Sequence, residues 1–437
     1  MSRPRAGAIV LLAALLAWLL CLSPATAAEK QRQEQTAEKK SAGAGKKAKP
    51  AEEKAEKPLV EGRAWILIDS RTGEVILAHN AAKQLPIAST TKLMTAYVAI
   101  KDMPLDKLVK AQPYDPIYGE SLMGLRVGQE ISVRDLLYGL ILRSGNDAAH
   151  TLAIAAAGST DRFVAQMNRY AAALGLADTH YANPVGLDQK GNYSSARDLA
   201  TLTQRLLRIP AFAKVADSRE AVLRSVHPRR RITTINELLL DAPWVTGVKT
   251  GHTFDAAYVL VGSGRKKGVE LISDAIGAPS DEARYSDNLE LLEYGFRQYK
   301  RRLPIHAGQD LADPAIRYSG GELPLRAARS VAVGLRRGQR LSLEVRAPRE
   351  VEGPIERGAA LGQATVFVDG LRAGAVPLRA GRAIPEAGAF DRARGFLGNN
   401  SIPIAVAVFV ILMAGVLLYR RKSRATTKGK RNRVNVK

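Results

Sequence analysis

The stretch Pro86-Ile87-Ala88-Ser89-Thr90-Thr91-Lys92-Leu93-Met94-Thr95 sets a serine at the start of a helical pattern and a lysine three residues later. At that spacing the two side chains share one helical face. A serine there lies near the positive end of the helix dipole, which favours a developing oxyanion, but its hydroxyl needs a base. Lys92 can serve only as a neutral amine, which requires desolvation and a neighbouring cation. Two further motifs follow in order, Ser144-Gly145-Asn146 and Lys249-Thr250-Gly251. Average residue usage gives roughly one chance Ser-x-x-Lys and one Ser-x-Asn in such a chain, but only ~0.1 Lys-Thr-Gly. The ordered triple therefore carries a weight that no single member does. Ser263-Gly-Arg-Lys266 repeats the first pattern in a hairpin turn, and Ser286-Asp-Asn288 repeats the second only after the third motif.

Each member has a chemical use. Lys249 would supply the cation if its strand lies beside the Ser89 helix. Ser144 would pass a proton between Lys92 and a leaving amine, and Asn146 would orient Lys92 or a substrate amide. Thr250 would bind a substrate carboxylate, and Gly251 would let the backbone approach the substrate. The N–H groups of Ser89 and His252 would cradle the oxyanion. Taken alone, Ser-x-x-Lys is an ordinary exposed first turn, and Ser144-Gly-Asn146 an ordinary cap for a helix from Asp147 onward.

Around these motifs the chain of 437 residues divides by composition. Residues 64–69 and 74–79 read as two strands about a Ser70-Arg-Thr-Gly73 turn. Helical periodicity covers 90–100, 133–142, 147–157 and 161–174, strands return at 258–262 and 269–276, and a helix follows over 281–299. Strands at both ends with helices between predict one α/β (α+β) domain over 59–302, its central sheet antiparallel and built from distant segments. Over 303–387 short alternating runs such as Leu341-Ser-Leu-Glu-Val345 predict a small all-β domain, and 388–401 a tether.

The ends are predicted to handle location. Arg3 and Arg5, a short apolar run and Ala25-Thr26-Ala27 make 1–28 a secretory signal peptide, which contains the chain's only cysteine, Cys21. Residues 29–58, rich in Lys, Glu, Ala and Gly, read as a disordered spacer. The uncharged run 402–419, ~27 Å long as a helix, reads as a transmembrane span. The basic tail 420–437 would be held in the cytoplasm and everything before the span outside it. The net charge of +23 suggests nucleic acid until it is located: Arg3 and Arg5, the spacer and the tail together hold 14 of those charges. The remainder is mildly basic, which argues against a nucleic-acid groove. The six histidines are scattered and no two share ligand spacing on one helix, so neither metal nor cofactor is expected.

With the triple in place, the chain resembles the low-molecular-mass penicillin-binding D-alanyl-D-alanine carboxypeptidases over residues 59–387. Ala88-Ser-Thr-Thr-Lys-Leu-Met-Thr95, Ser144-Gly-Asn-Asp-Ala148, Asn183-Pro-Val-Gly-Leu-Asp188 and Val245-Thr-Gly-Val-Lys-Thr-Gly251 carry the likeness. The resemblance implies a penicilloyl-serine-transferase fold and removal of the terminal D-alanine from peptidoglycan stem peptides. It also implies acylation by β-lactam antibiotics, which mimic that end. By position it makes Ser89 the acylated nucleophile, Lys92 the proton acceptor, Ser144 the second catalytic serine and Lys249 a substrate-binding residue. Arg284 resembles a family arginine that engages the terminal carboxylate. His252 stands where the family most often has Thr, and Ala256-Ala257-Tyr258 replaces a more glycine-rich segment. A class A β-lactamase would need a glutamate on the loop between the second and third motifs, and 178–197 has none. A D,D-endopeptidase would use the same residues.

Overall fold

The computed structural model describes residues 57–318, 320–392 and 401–429, with side chains in the last stretch described over 406–420. The expected signal peptide, almost all of the expected spacer and the end of the basic tail lie outside the described residues.

Two hairpins distant in sequence make one sheet. Strands β1 (Ala64–Asp69) and β2 (Val75–His79) pair about the predicted turn. Two small pairs intervene, β3 (Leu108–Lys110) with β4 (Glu130–Ser132) and β5 (Glu220–Leu223) with β6 (Arg230–Thr233). Then β7 (Val245–Thr253), β8 (Ala257–Lys266) and β9 (Val269–Ala278) form a meander. Strand β9 lies antiparallel to β1, with Ala64 opposite Ile276 and Asp69 opposite Leu271. The order is β2-β1-β9-β8-β7, antiparallel throughout. Both faces are buried, and the two-residue period of a strand sorts its side chains between them. Ile66 and Ile68 join the large helical core, while Leu67 joins Leu271, Leu291, Leu292 and Phe296 on the other face.

Helices α1 (Lys92–Asp102), α2 (Val133–Leu142), α3 (Asn146–Ala157), α4 (Thr160–Ala173), α5 (Ala196–Leu207), α6 (Pro210–Ala216) and α7 (Glu237–Asp241) fill the interval between the hairpins. Helix α8 (Asp281–Arg297) covers the second face. Residues 92–99 of α1 are all buried, the mark of a helix central to its core rather than laid on it. Helices α2, α4, α5 and α8 start on serine caps, Ser132, Ser159, Ser195 and Ser280, each accepting a main-chain N–H from the first turn. Helices α1 and α3 have no side-chain cap; both begin at the sequence motifs.

Strands β10 (Tyr299–Ile305), β11 (Asp310–Ala312), β12 (Ala315–Ile316), β13 (Leu325–Ala327), β14 (Val331–Arg336), β15 (Leu341–Arg346), β16 (Glu350–Val351), β17 (Ala360–Val368) and β18 (Leu371–Ala380) follow. They enclose a separate core that includes Ile305, Leu325, Val333, Val366 and Leu378. Strand β10 begins at Tyr299, whose hydroxyl donates to Asp69 Oδ2 at 2.7 Å and so ties this all-β region to β1. Arg71 on the β1–β2 turn donates to the carbonyls of Val368 and Leu371, and Arg336 pairs with Glu74.

A last helix, α9 (Ser401–Gly429), contains the run read as a membrane span. Its described side chains, from Val406 to Arg420, are exposed. Among the described residues no helix is long and apolar enough to cross a membrane.

One core position runs against the pattern. Asp274 on β9, between Ile66 and Val261 on the flanking strands, is fully buried, and neither carboxyl oxygen has a partner among the described residues. Burial pushes its carboxyl well above the usual carboxylate range. The folded state therefore binds a proton that the unfolded chain has lost, and stability falls as pH rises above the unfolded carboxyl range. Asp274→Val should raise unfolding stability by about 1–3 kcal/mol at neutral pH, with the gain shrinking towards pH 4. Urea melts at several pH values check this; a destabilised variant, or a gain that does not change with pH, would contradict it.

Candidate active site

Sheet closure brings the three motifs to one place. Ser89 sits in a 3-10 turn, Ala88–Thr91, that runs into α1. Ala88 has φ +47°, a left-handed conformation that a residue with a Cβ adopts only under constraint. The constraint is visible on both sides. At Gly186 an added Cβ would stand 2.0 Å from the Ala88 carbonyl oxygen, and at Gly251 on β7 one would stand 3.0 Å from the Ser89 nitrogen. The turn is thus clamped between the 183–188 loop and the third motif, and glycine is what lets both approach.

Lys92 is fully buried (0% exposed) and its Nζ donates to Ser89 Oγ at 2.8 Å and to the Val185 carbonyl at 2.6 Å. The loop that provides this carbonyl is itself fixed. Asn183 Oδ1 accepts from the Val185 and Gly186 nitrogens, and Thr95 Oγ1 donates to the Pro184 carbonyl at 2.6 Å. Burial brings the Lys92 ammonium down to about 7, against the pull of the Glu120 and Asp147 carboxylates, which favour its charged form.

A second lysine–serine pair faces the first. Lys249, 1% exposed, donates to Ser144 Oγ at 2.9 Å and to the Thr250 carbonyl at 2.6 Å. Ser144 has φ +55°. It does not cap α3, whose N-cap is Gly145; its hydroxyl points to Lys249 instead. Burial, then the charges of Lys92 and Arg284, push the Lys249 ammonium well below its ordinary range. Two amines this close titrate as a pair, so a proton lost from one favours its retention by the other.

Asn146 is nearly buried, and its Nδ2 donates to Glu120 Oε2 at 2.6 Å. Among the described residues no hydrogen bond joins it to Lys92; its amino group is spent on Glu120. Thr250 is buried beside Lys249 on β7. His252 is exposed at the end of the motif, its ring 4.2 Å from that of Tyr258. Arg284, 9% exposed, reaches in from α8. It donates to the Gly251 carbonyl at 3.1 Å, pairs with Asp281, and lies over the rings of Tyr258 and Tyr285. It is therefore a fixed part of the third motif's surroundings rather than an ordinary surface arginine.

Two contributors escaped the sequence reading. Val185 belongs to the quoted block 183–188, but a main-chain carbonyl leaves no sequence signal of its own. Glu120 lies in the loop between β3 and β4, outside every motif. Burial pushes its carboxyl up, yet hydrogen bonds from Asn146, Tyr114 and the Ile117 nitrogen, with the nearby Lys92 charge, outweigh this and hold it below the usual range.

An acyl-transfer site needs a positioned hydroxyl, a base that is neutral at working pH, a proton path and a backbone-lined oxyanion site. Ser89, Lys92, Ser144 with Lys249, and the approach of β7 to the Ser89 nitrogen match that set. Known proteins match the same way. The sequence pattern of the family described as D-alanyl-D-alanine carboxypeptidase fits residues 51–280. The chain is 33% identical over 352 residues to the D-alanyl-D-alanine carboxypeptidase DacA of Escherichia coli, covering 77% of this chain and 86% of that one. It is 32% identical over 364 residues to DacC of the same organism, covering 79% and 90%. Among solved structures it resembles penicillin binding protein 5 from Haemophilus influenzae, with a TM-score of 0.53 at 27% identity over 76% of this chain and 99% of that one. Penicillin binding protein 6B from Escherichia coli gives 0.53 at 29% identity over 74% and 96%. By its three motifs, its fold and these relatives, the chain belongs to the D-alanyl-D-alanine carboxypeptidase family.

Proposed function

We propose that this chain is a serine-type D-alanyl-D-alanine carboxypeptidase that trims peptidoglycan stem peptides through an acyl-enzyme on Ser89. The observation that carries the reading is the 2.8 Å hydrogen bond between Ser89 Oγ and a buried Lys92 brought down to about 7. In its neutral form Lys92 takes the Ser89 proton as Oγ attacks the carbonyl carbon of the penultimate D-alanine. The resulting oxyanion is met by the N–H groups of Ser89 and His252. The proton on Lys92 passes by way of Ser144 to the nitrogen of the terminal D-alanine. The C–N bond breaks and D-alanine leaves. Water then attacks the ester, Lys92 takes its proton, and Ser89 regains its hydroxyl as the shortened peptide departs.

Lys249 and Thr250 bind the free carboxylate of the substrate, with Arg284 held against the same strand by its bond to the Gly251 carbonyl. Asn146 aligns the reacting groups, and Gly251 leaves room for the peptide backbone. A β-lactam presents a carbonyl and a carboxylate in the same relation. Its leaving nitrogen stays tethered after the ring opens, which obstructs the deacylating water.

Residues 59–302 would carry the chemistry, and 303–387 would form a β-domain that sets it off from the 388–401 tether. The 402–419 run would cross the membrane and leave the site outside the cell. The apolar character of that run, the high exposure of Phe409, Ile411, Leu412 and Leu418, and the basic residues after it support this.

Two experiments test these readings. The full chain in detergent, treated with a fluorescent penicillin, should gain one stoichiometric adduct by intact-protein mass spectrometry, on the peptide containing Ser89. Ser89→Ala should gain none; an unchanged adduct in that variant, or none on the folded wild type, would sink the nucleophile assignment. In fractionated cells the chain should stay in the membrane pellet through an alkaline wash, and a chain ending before residue 402 should be released. Release of both forms alike would refute the span.

A further inference from the structure

Three donors converge on Glu120, two from its own loop and one from the start of α3. Its Oε2 accepts from Asn146 Nδ2 at 2.6 Å and from the Tyr114 hydroxyl, and its Oε1 accepts from the Ile117 nitrogen at 3.1 Å. Tyr114 is braced in turn by the ring of His150, 5.6 Å away on α3. Such a carboxylate only accepts hydrogen bonds. Asn146 must therefore turn its amino group towards Glu120, which leaves Oδ1 facing elsewhere. That oxygen is buried and has no partner among the described residues. Buried acceptors are rarely left bare without a use.

Because Asn146 Oδ1 is shut off from solvent, its donor is best sought inside the site. Lys92 Nζ has two partners, Ser89 Oγ and the Val185 carbonyl; as a neutral base it turns its lone pair to the Ser89 hydroxyl and keeps two N–H groups, one for Val185 and one still to place. We propose that Glu120 is a positioning residue for acylation, locking the Asn146 amide so that Oδ1 accepts the second N–H of Lys92 while the amine's lone pair takes the Ser89 proton. This rests on Ser89 and Lys92 acting as described above. Without Glu120 the amide is free to turn and present its amino group to the ammonium, which would oppose proton transfer.

The carboxylate also acts through its charge. The ionisable groups that face Lys92 are Glu120 on the β3–β4 loop, Asp147 at the start of α3 and Lys249 on β7, with Arg284 of α8 beside Lys249. Glu120 and Asp147 favour the ammonium. Losing either charge makes Lys92 neutral at lower pH, so the rising limb of acylation against pH should move down.

The two effects separate in two variants. In Glu120→Gln the charge is lost, but an amide oxygen remains to accept from Asn146. In Glu120→Ala both are lost. Second-order acylation of the full chain by a fluorescent penicillin, measured from pH 5 to 9, should show a wild-type limb near pH 7. Both variants should shift it down, on the order of half to one pH unit. The plateau rate should fall about tenfold or more in Glu120→Ala, with substantial recovery in Glu120→Gln. Limbs at the wild-type pH in both variants, or a Glu120→Ala plateau within about twofold of wild type, would overturn the proposal. A purely structural Glu120 would lower the amount of active protein without moving the limb, which also overturns it. Failure of the wild type itself to acylate at Ser89 would instead overturn the carboxypeptidase reading, and this one with it.

Discussion

A lysine amine kept out of water, with a serine hydroxyl and a peptide carbonyl as its hydrogen-bond partners, holds its proton far less tightly than it would in solution. This is the constraint on which the rest of the site depends. Among the described residues no carboxylate is in direct contact with Lys92; Glu120 and Asp147 act on it only at a distance. A direct ion pair would hold the lysine as an ammonium and leave Ser89 without a base. Full exposure would do the same. The fold instead buries the amine at the first position of a helix that is itself buried, and allows it two neutral acceptors. In the proposed reaction the same burial would give the hydroxyl a base and give the base a driving force to return the proton.

Maintaining that arrangement takes elements from across the chain. Strand β1 closes the sheet against β9, which sets β8 and then β7 in register, and β7 comes to lie against the Ala88–Ser89 turn. The 183–188 loop closes the other side and contributes the Val185 carbonyl. Two residues that carry a Cβ, Ala88 and Ser144, sit in left-handed conformations next to the reacting groups. Each costs on the order of 1–3 kcal/mol and persists only where the surroundings overdetermine it. Here the surroundings are close main-chain contacts at Gly186 and Gly251 and the bond from Lys249 to Ser144. In the proposed reaction the two lysine–serine pairs, with both lysines buried, would give the proton somewhere to go in both directions.

Much of this was legible in the sequence, and the parts that were not share a reason. Ser89 and Lys92 could be paired because a helix puts residues three apart on one face, and the order of the three motifs told which serines and lysines to assemble. The strands at 64–69, 74–79, 258–262 and 269–276 were readable from alternation, and helix 133–142 from its period and polar start. Helices α5 and α6 were missed, although Ser195 and Pro210 mark their starts. Taken alone Ser144-Gly-Asn146 reads as a helix cap, and the order of the three motifs is what makes Ser144 a candidate proton relay; the position of Lys249 in space shows where its hydroxyl goes. Asn146 and Arg284 were identified as residues, but their partners, Glu120 on a loop and the Tyr258 and Tyr285 rings, are set by tertiary contact and leave no spacing to read. Asp274 had no sequence warning at all, since one acid in a strand normally means an exposed position.

The protonation of Lys92 can be observed without turnover. In protein labelled with carbon-13 at the lysine ε position, the resonance lost in Lys92→Arg identifies this side chain. Its chemical shift, followed by NMR from pH 5 to 11, should titrate near the value of about 7 set by its burial. An ammonium that persists above pH 10, as on an exposed lysine, would contradict the account and leave Ser89 without its base.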